Sequence, residues 1–328
     1  MDNRITVVIP TRNRRQLLLR TLGTILAQED VDFDVVVVDE ASTDGTAEAL
    51  TSLQQDRLTV LRHEEPKGVS AARNAGIQAA GGDWVAFIDD DDIWSPAKLK
   101  AQLSAARSQP GARWTCTGAV RVDARLRLGG PERPPSSSDV ISRLLSCNVI
   151  PGGASAVMAR TDLVRELGGF DPTLSNLADY DLWIRLGLAS PLGVVDRPLV
   201  GYRVHPGGMA HNVRCGEREL AVIEQRYRRA RQERGIEISP DGFLWYFGSM
   251  YLRRGQRMSA MRIHLDLARR GDEGRGRALV AAAVGTAWPG VQRLRDRAQI
   301  LKLSPAWRAE AESWIAPLRD AAAPMVTA

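Results

Sequence analysis

Cysteine is scarce in this chain. The three present, Cys116, Cys147 and Cys215, are an odd number, lie far apart and form no CxxC pair. This argues against a disulfide framework and a zinc site, and it fits a reducing cytoplasm. Long apolar runs are missing as well. No stretch reaches the roughly 20 residues that span a bilayer, and the opening "MDNRITVVIP" does not read as a signal peptide. No repeat period marks a solenoid. Two glycine signatures of nucleotide binding are also absent. The first apolar run ends in "IPTRNR" rather than GxGxxG, and GxxxxGKS/T occurs nowhere. A haloacid-dehalogenase-like phosphatase would carry its nucleophilic acid where this chain has Pro10 and Thr11.

What remains is a globular composition. The 328 residues are 44% hydrophobic and 25% charged, enough for one large domain or a domain with an extension. The net charge is +5, but it is uneven. Acidic clusters fall in the first 200 residues, and arginine becomes dense after Arg214. Solvated helix faces account for such arginines; a surface facing anionic lipid is the sharper alternative. No nucleic-acid partner is expected.

Up to residue 124 the pattern alternates. Strands are expected at "RITVVIP", "FDVVVVDE", "RLTVLRHE", "DWVAFID" and "RWTCTGAVRVD". Between them lie helical segments: "RRQLLLRTLGTILAQ", "DGTAEALTSLQ" with Asp44 as cap, "VSAARNAGIQAA", and "SPAKLKAQLSAARSQ" with Ser95 as N-cap and Pro96 in the first turn. Such alternation predicts an α/β fold with a mainly parallel sheet flanked by helices, binding its ligand beyond the strand carboxyl ends. Residues 125–139 read as a loop. "GASAVMAR" then reads as a strand, "ADYDLWIRLGLA" as a helix and "PLGVVDRPLVGYRVH" as strand and turn. Helices are expected at 214–234, 240–254, 258–270, 275–287, 291–302 and 305–319. Their aromatic residues, Trp245, Tyr246, Phe247, Tyr251, Trp288, Trp307 and Trp314, exceed the needs of a polar tail. They are expected to pack together, on the rest of the chain, or across a homodimer interface.

The sharpest feature is "DWVAFIDDDDIW", where an apolar run ends in the acids Asp89 to Asp92. If the strand continues through Asp91, Asp89 and Asp91 share a face. Two carboxylates at the ligand end of a sheet suit Mg²⁺ or Mn²⁺, which complete their shells with phosphate oxygens and water. A metal with a diphosphate would offset the repulsion. A solvated acidic turn is the plainer alternative.

"VVIPTRNR", "VVVVDEASTDGT", "GVSAARNAGI", "FIDDDDIW", "GGFDPTL", "ADYDLWIRL" and "YRVHPGG" follow one another in the order seen in family-2 glycosyltransferases. The resemblance covers roughly residues 4–212. It implies a GT-A-type, Rossmann-like catalytic domain over 1–212, with a nucleotide-sugar half (1–124) and an acceptor half (140–212), followed by an α-helical region over 213–328. It further implies transfer of a sugar from a nucleotide-diphosphate donor, with inversion and with Mn²⁺ or Mg²⁺. By this resemblance Pro10, Thr11 and Asp39 line the nucleobase pocket, where Asp39 can accept the N3–H of a uracil. Arg73 stands by the base and diphosphate. Asp89, Asp90 and Asp91 match the DxD motif, with Asp90 toward the ribose and Asp91 on the metal. Asp92 reads as a turn residue.

Asp179 falls where the family carries its base. The family often has Glu-Asp there, and this chain has Ala178-Asp179. Asp181 competes, but the two project about 200° apart on a helix. The helix dipole is expected to hold Asp179 ionised and so a weak base. His205 resembles a histidine that closes the site in some relatives, sometimes as a metal ligand. Gly168 and Gly169 read as a tight turn near the acceptor. The nearest match to the Gln-x-x-Arg-Trp motif of processive relatives is "QRYRR", with Arg229 in place of Trp, which favours transfer of a single sugar. The acceptor is expected to be a saccharide, a lipid-linked molecule or a small molecule, met in the cytoplasm or at the inner membrane face. A nucleotidyltransferase and a non-catalytic sugar-nucleotide binder are the rival classes.

Overall fold

Apolar residues of the first half alternate between the two faces of one sheet, and two separate cores result. The computed structural model describes residues 3–204, 213–236, 244, 247–248, 251, 256–270 and 300–320. Strands β1 (Ile5–Thr11), β2 (Phe33–Glu40), β3 (Leu58–His63) and β4 (Trp84–Phe87) pair in parallel in the order β3-β2-β1-β4. Ile5, Val7 and Ile9 face Leu18, Leu22 and Ile25 of α1 (Arg15–Leu26). Leu50 of α2 (Thr46–Ser52) and Leu99 and Leu103 of α4 (Lys98–Ser108) complete that core. The opposite face, with Val8, Val85 and Phe87, packs on Ile77 of α3 (Val69–Ala79). Each such side chain fully buried contributes about 1.5–3 kcal/mol.

Beyond β4 the sheet becomes mixed. It continues through β8 (Val157–Arg160), β6 (Trp114–Val122), β9 (Leu192–Arg203) and β5 (Ile93–Trp94), and β7 (Leu128–Glu132) pairs with β6. Only β6 and β9 run parallel here; β4–β8, β6–β8, β6–β7 and β5–β9 are antiparallel. The stretch 125–139, expected to be all loop, thus holds a strand. Helices α5 (Val140–Ser146), α6 (Thr161–Glu166) and α7 (Ala178–Ala189) cover the second face, joined at Phe170 and Trp183. The segment "GASA" forms a short 3₁₀ turn, Gly153–Ala156, before β8.

Two capping expectations come out differently. Asp44 accepts from Thr46 N and Oγ1 and also from Arg15 N, so it fastens the starts of α1 and α2 together. Ser95 caps the turn that leads into α4 rather than the helix itself: its Oγ accepts from Ala97 N at 3.4 Å and its carbonyl from Lys98 N, while the helix begins at Lys98 with Ala97 as cap.

The C-terminal helices are α8 (Val213–Arg226), α9 (Arg228–Gln232), α10 (Arg257–Arg270) and α11 (Pro305–Asp320). Leu220, Ile223, Tyr227, Phe247, Tyr251 and Ile263 extend the core under α7. Trp307, Trp314 and Ile315 of α11 pack on Ile93, Val120 and Val122. Trp307 lies so close to Gly118 that a Cβ there would come within 2.3 Å of the ring. The helices expected at 275–287 and over most of 291–302, together with Trp245, Tyr246 and Trp288, lie outside the described residues. No helix among the described residues is long and apolar enough to cross a membrane.

Candidate active site

Strand β4 stops at Phe87, not at Asp91. Ile88 N still bonds to Val8 O, and then the chain turns, with Asp92 N bonding to Asp89 O. Strand alternation therefore does not sort the four acids. Their partners do.

Asp89 pairs with Arg73 Nη2 of α3. Asp90 accepts from Thr11 Oγ1 at 2.8 Å and from Arg14 Nη1 at 3.0 Å. Asp91 accepts from the same Arg14 nitrogen at 2.7 Å. Asp92 is fully buried; it accepts from Ser155 Oγ at 2.5 Å and from Arg203 N at 2.8 Å. Asp92 is thus an internal tie rather than a plain turn residue. Ser155 also accepts from Asp89 N, and Thr21 Oγ1 reaches the carbonyls of Asp90 and Asp92. Burial pushes the Asp90 carboxyl up to about 7 against the pull of Arg14, with the Asp91 charge adding. Burial likewise lifts Asp92 well above the usual range, helped by Asp91 and Asp89.

Asp39 lies next to Thr11 in the β1–β2 ladder, one residue on from Pro10 paired with Val38. One Asp39 oxygen accepts from Ser42 N. The other is buried without a hydrogen-bond partner, and Arg62 Nη1 stands 3.4 Å away. Glu40 pairs with His63 and accepts from Lys67 N and Gly68 N, which sets the entry to α3. Arg73, on that helix, is buried, lies over the Phe170 ring at 5.0 Å and has an Nε with no partner.

Asp179 is the second residue of α7, half-buried, with one oxygen accepting from Tyr180 N at 2.7 Å. A Cβ on Gly153 would stand 3.9 Å from its other oxygen. Its carboxyl is pushed up to about 6, by burial first, with Arg73 pulling down and Asp89 pushing up. Desolvation therefore outweighs Arg73 and the backbone N–H groups at the helix start, and Asp179 is a better base than its place at the helix start implies. Asp181 points elsewhere. It is fully buried between Arg185 at 2.6 Å, Arg226 at 2.6 Å and Tyr227 Oη at 2.7 Å.

Gly168 and Gly169 both take positive φ, +81° and +69°. Asn74 clasps the turn through both Phe170 backbone groups, and a Cβ on Gly169 would fall 2.4 Å from its Oδ1. Packing on α3 explains Gly169, whereas Gly168 meets nothing and is explained by its positive φ alone.

The structure therefore brings Thr11, Asp39, Arg73, Asp89, Asp90, Asp91 and Asp179 to the carboxyl ends of β1, β2 and β4 and the start of α7. His205 lies outside the described residues, two positions beyond Arg203, whose Nε bonds to Asp91 O. Among the described residues no three His, Cys, Asp or Glu side chains gather as a metal site. The donors fit a hard cation all the same. Oxygens of Asp90 and Asp91 converge on one cationic nitrogen, and one or two carboxylates suffice for Mg²⁺ beside phosphate oxygens. Arg14, Ser155 and Arg203 escaped the sequence reading. Arg14 sat in "VVIPTRNR" with no spacing to mark its partners.

Part of the chain is similar to known proteins. Residues 6–160 match the family model described as Glycosyl transferase family 2. An uncharacterized glycosyltransferase of Haemophilus influenzae is 24% identical over 76% of this chain and 86% of its own length. A putative colanic acid biosynthesis glycosyl transferase, WcaA, of Escherichia coli is 33% identical over 56% of this chain and 65% of its own. The match covers only 34% of each of two Rickettsia relatives. Among solved structures, S. aureus TarS 1-349 in complex with UDP-GlcNAc superposes with a TM-score of 0.53 at 17% identity, covering 96% of this chain and 80% of that one. A mannosyltransferase of Pyrobaculum calidifontis, in complex with GDP-Man and Mn²⁺, gives 0.52 at 20%, covering 96% and 84%. These two likenesses speak to the fold. Residues 6–160, which carry the acid turn, Arg73 and Ser155, are the part of the chain that is similar to glycosyl transferase family 2.

Proposed function

We propose that the chain is an inverting, metal-dependent glycosyltransferase of the hexosyl type. It moves a single sugar from a nucleotide-diphosphate donor to an acceptor hydroxyl in glycan, glycolipid or natural-product biosynthesis. One observation carries this reading: the Asp179 carboxyl, pushed up to about 6 by burial, lies near enough to Arg73 and Asp89 to feel both charges, and these two are themselves paired. At neutral pH Asp179 is mostly ionised and can take the acceptor's proton. The acceptor oxygen then bonds to C1, the bond from C1 to the diphosphate oxygen breaks on the opposite face, and the nucleoside diphosphate leaves. Arg73 is the cation beside the departing diphosphate. Asp39, whose second buried oxygen has Arg62 nearby but no hydrogen bond, accepts from the base, which favours uridine; Pro10 and Thr11 complete that pocket, and Asp90 stands between the ribose and the metal. Asp91, with Asp89 or Asp90 beside it, would hold Mn²⁺ or Mg²⁺, which when bound stabilises charge on the leaving diphosphate.

The neighbours' complexes with UDP-GlcNAc and with GDP-Man and Mn²⁺ support the donor class and the metal. The colanic acid relative supports a saccharide or lipid-linked acceptor. We assign catalysis to residues 1–212, bracing to 213–328, and the cytoplasm or inner membrane face as the place of action.

The test is a panel of UDP- and GDP-sugars with Mn²⁺, read by nucleoside diphosphate release and by the anomer of the product. Pyrophosphate release would show a nucleotidyltransferase instead, and binding without release a non-catalytic binder. UDP should raise the melting temperature far more with Mn²⁺ than with EDTA; equal shifts would remove the metal.

A further inference from the structure

The acid turn already holds a cation of its own. Arg14 precedes α1, with a non-helical backbone at φ −137° and ψ 37°. Its Nη1 takes one oxygen from Asp90 and one from Asp91. Two neighbouring carboxylates converging on one positive centre is the donor set a hard dication takes. The other acids are differently engaged: Asp92 is tied to Ser155 and Arg203, and Asp89 faces Arg73. Arg14 and Asp91 keep 21% and 11% of their side-chain surface exposed, so solvent reaches this pair, unlike Asp92. The helical hydrogen bond that Arg14 makes, from Leu18 N, is taken by its carbonyl and not by the guanidinium.

A guanidinium and a dication cannot share the same two oxygens, because the like charges repel at such distances. We propose that Arg14 is an internal counter-cation that yields Asp90 and Asp91 to the divalent metal and then turns to the donor's diphosphate. The proposal rests on the metal-dependent reading above. Arg14 neutralises the turn while the site is empty of donor. Once displaced, its planar fork suits phosphate oxygens. Metal and donor binding are thereby coupled through one side chain, because the diphosphate supplies the new partner that makes displacement favourable.

The experiment titrates Mn²⁺ into the full chain, without and with UDP, and reads free Mn²⁺ by electron paramagnetic resonance. Arg14→Ala should bind Mn²⁺ alone on the order of 10-fold more tightly than the parent chain. UDP should strengthen Mn²⁺ binding less in this variant than in the parent. Arg14→Gln, which keeps hydrogen bonding without the charge, should behave alike if Arg14→Ala fails to fold. Mn²⁺ binding in these variants equal to or weaker than in the parent, with Asp91→Asn abolishing it in all, would leave the metal reading standing and overturn the role of Arg14. Mn²⁺ binding that Asp91→Asn does not diminish would overturn both.

Discussion

Asp179 and Asp181 are two positions apart on α7, and the structure gives their asparagine variants opposite signs in stability. The Asp179 carboxyl, raised from 3.8 to about 6, favours the folded state when protonated. Its stabilising contribution is full below pH 4 and is lost as pH climbs through 6. At pH 7.5 this loss is roughly 1–3 kcal/mol. Asp179→Asn removes it while keeping the oxygen that accepts from Tyr180 N. The variant should be slightly more stable than the parent at pH 7.5, and turnover should fall about 10²–10⁴-fold. Asp181→Asn removes a charge that two guanidiniums and a phenol share. Breaking a buried pair costs about 3–5 kcal/mol; the solvent access of Arg226, 37% exposed, argues for the lower end. A loss of roughly 3 kcal/mol lowers the melting temperature by about 4–5 °C in a chain of 328 residues. Urea denaturation at pH 5 and 7.5, with single-turnover transfer, reads both effects. A destabilised Asp179→Asn with near-parent turnover, beside a stable but inactive Asp181→Asn, would refute the assignment.

Arg73→Ala should weaken donor binding and move the inflection of kcat/KM above about 6, since Arg73 holds the Asp179 proton affinity down; an unmoved pH profile counts against their coupling. Trp314→Ala should cost about 3–5 kcal/mol in denaturant unfolding, because the ring fills the cluster around Ile93 and donates to Pro198 O; a loss under 1 kcal/mol would show that α11 is only loosely seated.

The first half of the fold was legible because parallel strands buried on both faces leave continuous β-branched runs, such as "FDVVVV" with its two faces on separate cores. Strand β7 was not. "LGGPE" has no alternation, and its pairing is set by the neighbouring β6, not by its own residues. The end of β4 was misjudged for a similar reason: "FIDD" reads on as strand, but Ser155 and Thr21, from distant segments, take the polar groups that a ladder would have used. Site acids stood out as an unusual run of one charge. Their partners did not, since Arg14 and Arg203 are ordinary arginines until the fold brings them to the turn.

The helical region bears on the same issue. Glu219 of α8 is buried and accepts from the backbone N–H groups of Ser175, Asn176 and Leu177. These are donors at the entrance to α7, where an acid is favoured by the dipole. Arg226 and Tyr227 hold Asp181 one turn further on. The loop that delivers Asp179 is therefore anchored from outside the matched segment, by side chains beyond residue 212. A chain cut at 212 would keep the acid turn and Arg73 but leave those N–H groups without their acceptor and Asp181 with Arg185 alone. UDP binding should then survive better than transfer. Glu219→Ala in the full chain should reproduce the split more mildly, lowering turnover with little change in donor affinity. Equal loss of both would mean that α8 supports the whole cleft rather than the placement of Asp179.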